Sequence, residues 1–186
     1  MEDCVRFREE LSREEFFVSI SCGVVRHLLS IEGMVTKQII RAASGWLELG
    51  LPEDALEELE GLPPADRDTR KALEVKLAAQ MAKSDWKPAS ETAVSLCTQG
   101  VEEAEYFVSA AYCFHEIGDT EEARKWLQRG PESLSEMPVY HYNMACYLWK
   151  LGEGERARNH LAKAIEMDES FMESARHDKD LVGMEF

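Results

Sequence analysis

The chain has 186 residues, 45% hydrophobic and 31% charged, a make-up that fits one folded domain or a short solenoid and excludes a disordered tail. Its 36 acidic against 21 basic residues leave a net charge of −15. That field repels phosphate backbones and anionic lipid, so neither nucleic acid nor a membrane is an expected partner.

Residues 1–34 stand outside the regular pattern that follows. Phe16 to Ile20 suit a strand, but Phe17, Ile20, Val24, Leu28 and Ile31 also keep helical spacing. The favoured expectation is an amphipathic helix capping the domain, with Met34 as an alternative natural start. From Val35 the sequence predicts paired helices at about 36–49 and 52–61, 67–83 and 87–98, 102–117 and 120–129, 138–151 and 154–167. Pro63-Pro64, Gly100, Gly130-Pro131 and Pro138 fall between the pairs, where they punctuate without breaking a helix. Residues 171–186 are expected to cap the last pair through one or two short helices, with Phe171, Leu181 and Phe186 as apolar contacts.

The pairs share a period. Ala55, Ala89, Ala123 and Ala157 each stand 34 residues after the last, and five positions before them come Gly50, Ser84, Gly118 and Gly152. Four positions after them come Leu59, Ala93, Leu127 and Leu161, and nine before them Trp46, Gln80, Phe114 and Leu148. A small residue lets two antiparallel helices approach closely, and glycine suits the left-handed turn that ends a helix. Pro52 fits the first turn of a following helix, and Asp119 fits an N-cap. The second unit is degenerate: Gln80 is polar in a column of large apolar residues. Moving its first helix by one residue, to Leu77, Ala78 and Met81, repairs the pattern.

This unit resembles the tetratricopeptide repeat, whose length and small-residue, aromatic and alanine pattern it shares. The resemblance is carried by AASGWLELGLPEDALEEL (Ala42 to Leu59), SAAYCFHEIGDTEEARKWL (Ser109 to Leu127) and, most fully, NMACYLWKLGEGERARNHLAKAIEMD (Asn143 to Asp168). It implies an all-α fold, a right-handed α-solenoid of four repeats over residues 35–170. It also implies a groove lined by the first helix of each unit. On periodicity the groove residues are Lys37, Arg41 and Ser44, then Lys71 and Glu74, then Tyr112 and His115, then Tyr142, Asn143, Cys146 and Trp149. The groove is thus basic at one end and aromatic at the other, suited to an acidic group and an apolar anchor of a peptide or helix. Trp46 and Phe114 belong to the packing columns. The lysine, asparagine and arginine clamp by which part of this family holds chaperone tails is not matched, because Asn143 stands alone.

No constellation for catalysis, cofactor or metal emerges. Gly152-Glu153-Gly154-Glu155-Arg156-Ala157 spells a dinucleotide loop but joins two helices instead of following a strand. Cys113 and His115 are two residues apart and point to different sides of a helix. His177-Asp178-Lys179-Asp180 lacks a second nearby histidine for a metal and reads as a polar helix terminus with its charges in water.

Cys4, Cys22, Cys97, Cys113 and Cys146 make an odd set without a CxxC pair, and Met1-Glu2-Asp3 is too acidic for a signal peptide. Together with the lack of an apolar run of ~18 residues, these point to the cytoplasm. The function that follows is a non-enzymatic scaffold or adaptor for a protein partner. Set against it are a small secretion-type chaperone, a self-associating homo-oligomer, and an enzyme built across helices around His115, Cys146 and His177.

Overall fold

The computed structural model describes residues 33–185, and these are helical throughout, without a strand among them. The elements are α1 (33–48), α2 (Pro52–Glu60), α3 (Arg70–Ala82), α4 (Trp86–Gln99), α5 (Ala104–Glu116), α6 (Thr120–Arg129), α7 (Pro138–Lys150), α8 (Gly154–Met167) and α9 (Ser170–His177). Short 3₁₀ segments stand at Pro64–Asp66, Glu132–Glu136 and Lys179–Leu181. Each helix packs chiefly on its neighbours in sequence, as the units of a solenoid do. The expected N-terminal cap lies outside the described residues but for its last two positions, and so does Phe186.

The alanine column is the seam of every pair: Ala55, Ala89, Ala123 and Ala157 are all 0% exposed. The apolar column four residues on is buried too, from Leu59 to Leu161. Trp46 and Phe114 are half-buried against the core, and Phe114 stacks on Trp126 with ring centroids 6.2 Å apart.

The turn column shows one backbone solution used four times. Gly50, Ser84, Gly118 and Gly152 have φ of 74°, 59°, 88° and 81°. At each, the turn residue's N–H reaches the carbonyl three residues back and the next N–H the carbonyl five back, as in Gly118 to His115 and Asp119 to Phe114, both 2.9 Å. This double bond pattern satisfies carbonyls left open at the helix end, and it requires the left-handed region that glycine enters without penalty. Ser84 is the one described non-glycine residue held there.

That repetition corrects the expected shift in the second unit. Ser84 and Asp85 bond back to Met81 and Gln80, so the turn holds α3 in the same phase as the other first helices. Leu77 is buried, Ala78 is exposed, Met81 is half-buried, and Gln80 occupies the large apolar column at 6% exposure. Its Oε1 is buried without a hydrogen-bond partner. The start of α3 also differs from expectation, at Arg70 instead of 67. Arg67 donates to the carbonyls of Leu62 and Glu60, both at 3.0 Å, and so closes the end of α2 rather than joining α3.

The packing divides into two clusters that meet at α3. Ala72 and Ala79 join Ala43, Ala55, Leu59 and Leu62 on one side, while Leu73 and Leu77 join the larger core on the other. That core ends in Ala175, Leu181 and Met184, which follow α8.

Candidate functional site

On α7, Tyr142, Cys146 and Trp149 stand at i, i+4 and i+7 and share one face, and on α5 Tyr112, His115 and Glu116 share the corresponding one. The chain itself covers much of this surface. After α9 it turns at Asp178 and runs back over both helices as a strap, Asp178 to Met184.

The strap is held by carboxylates whose four oxygens all have donors. Asp178 Oδ2 accepts from the Tyr142 hydroxyl at 2.7 Å and lies 3.7 Å from Cys146 Sγ, and Asp178 Oδ1 accepts from the Asp180 N–H at 2.8 Å. Asp180 Oδ1 accepts from Lys150 Nζ and its Oδ2 lies beside His115 Nε2, both at 3.0 Å. Trp149 Nε1 donates to the carbonyl of Val182 at 3.2 Å, and Lys179 pairs with Glu116 at 3.3 Å. Between these polar contacts Leu181 is 2% exposed. The reading of Asp178 and Asp180 as charges in water is thereby corrected: the chain breaks from α9 at Asp178 and folds both carboxylates onto the first-helix face.

The electrostatics follow from burial and these contacts. Burial pushes the Asp180 carboxyl up, but donation from His115 and Lys150 outweighs it and holds the group below the usual carboxylate value. Burial and the neighbouring carboxylates raise the Tyr142 hydroxyl and the Cys146 thiol, keeping both protonated as donors. His115 Nδ1 lies 3.0 Å from the Thr120 hydroxyl, so an Nε2–H tautomer donates to Asp180 while Nδ1 accepts from Thr120.

Asp180, His115 and Thr120 follow the order of a hydrolase triad, and they line a cleft of about 550 Å³. The cleft does not suit acyl transfer, because Glu116, Asp119 and Glu121 also line it and would oppose a developing oxyanion. Nor is there a poised thiol among the described residues: burial pushes Cys97 up to about 12 and Cys113 up to about 11, and raises Cys146 as well. Of the enzyme alternative's residues, His115 and Cys146 are buried while His177 is exposed and lies beside the Glu173 carbonyl. Among the described residues no group of three metal-ligating side chains occurs. No described helix is long and apolar enough to cross a membrane.

The remaining expected groove residues lie beyond the strap. Lys37, Arg41 and Lys71 are exposed, on α1 and α3. Tyr112 is 37% exposed and meets the edge of Trp86 with centroids 5.5 Å apart, and Asn143 is half-buried. The structure thus joins His115, Tyr142, Cys146 and Trp149 under one cover, and among the described residues Lys37, Arg41 and Lys71 lie outside it. Asp178, Asp180 and Lys150 were not legible as site residues, because the strap leaves the 34-residue register.

Residues 139–171 match the family model of the tetratricopeptide repeat. No curated protein matches the chain. Solved structures do. A crystal structure of MamA is 14% identical, covering 80% of this chain and 86% of its own, with a TM-score of 0.67. The thermophilic repeat protein TTC0263 of Thermus thermophilus is 18% identical over 79% of this chain and 81% of its own, with a TM-score of 0.60. YrrB, described as having an unusual peptide-binding site, is 16% identical over 78% and 80%, with a TM-score of 0.61. At these identities the likeness is one of fold. The last unit thus carries the tetratricopeptide-repeat sequence pattern, and the described chain has the fold of tetratricopeptide-repeat structures.

Proposed function

We propose that the protein is a non-enzymatic scaffold that binds a peptide or helix of a partner protein along its first helices. The observation that carries this reading is the strap itself. The first-helix face of α5 and α7 already holds a chain segment, through side chains that recognise both its carboxylates and its backbone. Solenoids use such faces for extended partners. The exposed Lys37, Arg41 and Lys71 continue that face toward α1 and offer positive charge in a chain of net charge −15. An acidic partner segment suits that end. The reading keeps cytoplasmic residence, supported by Cys97, Cys113 and Cys146 as free thiols.

The test is a photo-crosslinking residue at Ala78, exposed on α3 between the basic end and the strap. In native lysate it should trap a discrete protein that is lost when Lys37, Arg41 and Lys71 are replaced by glutamate. A control crosslinker at Lys125, exposed on the second helix α6, should not trap it. Identical products from both positions would contradict the reading.

A further inference from the structure

We infer that the face of α5 and α7 reads short acidic segments of the form Asp-X-Asp-apolar, and that Asp178–Val182 is its tethered occupant, displaced by a partner segment of the same pattern. This rests on the first-helix face being the partner surface, and it names the partner's chemistry there.

The first ground is that the receptor side is built for carboxylates. Tyr142, Cys146, Lys150 and His115 come from two helices of two units and converge on two side chains spaced i and i+2. The donors include a lysine ammonium, a tyrosine hydroxyl and an imidazole, and hydrogen bonds to an ionised carboxylate are stronger than neutral ones. In a chain whose net charge of −15 already includes Asp178 and Asp180, gathering both carboxylates on one surface opposes the overall field, so the local donors must outweigh it.

The second ground is reach. A further first helix in register would pack on the unit before it. Here α9 begins as such a helix, with Ala175 buried in the column of Phe107 and His141, but it stops at His177. Beyond it Lys179 and Asp180 contact Glu116 and His115, one unit further back than a regular helix needs. A cap needs only apolar cover for the last unit; these contacts select particular side chains across two.

The third ground is that the contacts are carried by a short run of sequence, with Leu181 and Met184 as its buried apolar residues. Val182 is 76% exposed although its carbonyl is bonded, and Leu181 is the apolar anchor between the two carboxylates and that carbonyl. The Asp178 side chain accepting the Asp180 N–H presets the spacing of the pair, as an Asx turn does, and a free peptide of the same sequence can form it too. Tethering gives the strap an effective concentration in the mM range, so a free peptide competes poorly until the strap is weakened.

The probe is a fluorescent peptide of sequence His-Asp-Lys-Asp-Leu-Val-Gly-Met, residues 177–184, titrated by anisotropy against the full chain. The D178N/D180N chain should bind it at least about ten-fold more tightly than the unaltered chain, as release from an effective concentration in the mM range implies. Adding Y142F and K150M to that variant should abolish the gain, and a peptide with both aspartates replaced by asparagine should bind at least about ten-fold more weakly. Equal affinity of the two chains, or of the two peptides, would overturn the inference. So would a strap seated on a second copy, seen as a dimer that D178N/D180N converts to monomer. If the double variant loses helical circular dichroism, the unaltered chain decides: peptide in the mM range must speed hydrogen exchange within 178–184, and unchanged exchange overturns the inference. The peptide reports only on α5 and α7, while the crosslink at Ala78 reports partner capture, so either reading can fail without the other.

Discussion

Asp180 Oδ2 lies 3.0 Å from His115 Nε2, bringing the strap onto a helix two units back in the array. The contact is 7% exposed on the histidine side and 11% on the aspartate side, and the same ring meets the Thr120 hydroxyl at 3.0 Å. His115 therefore ties the strap, α5 and α6 together.

Replacing His115 with alanine leaves a buried carboxylate and a buried hydroxyl short of a partner. The expected loss is about 2 kcal/mol in urea unfolding, within the range for an orphaned buried polar group. Hydrogen exchange at 178–184 should rise in the same variant.

A second prediction concerns acid. His141 and His160 face each other with their Nδ1 atoms 2.9 Å apart, so one must donate and the other accept. Burial, with His141, Arg156 and Lys163 nearby, holds His160 down at about 4, and burial with Lys163 also lowers His141. A histidine depressed in the folded state contributes stability that is complete above its unfolded value near 6.5. That stability is lost as pH falls toward the folded value. Urea midpoints should therefore decline between pH 6.5 and about 4, and His160→Gln should flatten the decline. The Asp180 carboxyl is held below its usual value by donation from His115 and Lys150, so its protonation is not what drives the decline in that window.

Much of the array was legible because the solenoid repeats its physics. Close helix approach demands a small residue and the turn demands positive φ, so Ala55 to Ala157 and Gly50 to Gly152 marked the seams, and helix bounds from α4 onward fall within two residues of expectation. Gln80 misled because polarity in one column outweighed the turn that sets the phase. The strap was illegible for a different reason: its contacts join residues 30 to 65 apart without periodicity, and Asp178 and Asp180 read as solvated charges until α9 ended beneath them.

The turn column gives a third prediction. Ser84 is held at φ 59°, where only glycine is free of strain. Ser84→Gly should stabilise the chain by about 1 kcal/mol, and Gly118→Ala should destabilise it by a similar amount. No atom lies within 4 Å of a Cβ placed at Gly118, so the second effect is conformational and not steric. Denaturant midpoints of the two variants should move in opposite directions.

Gln80 supplies a fourth. Its Oε1 is buried without a partner in a column filled elsewhere by Trp46, Phe114 and Leu148. Gln80→Leu should raise stability by about 1–2 kcal/mol, the cost of an unsatisfied buried amide, read as a higher thermal midpoint at unchanged helix content.

In the proposed function the first helices meet the partner on the face that the strap shares. Hydrogen exchange on the full chain, with and without the protein captured at Ala78, tests it most directly. Slower exchange on α1, α3 and α5 and faster exchange at 178–184 are expected. Protection confined to the second helices α4, α6 and α8, with 178–184 unchanged, would contradict it.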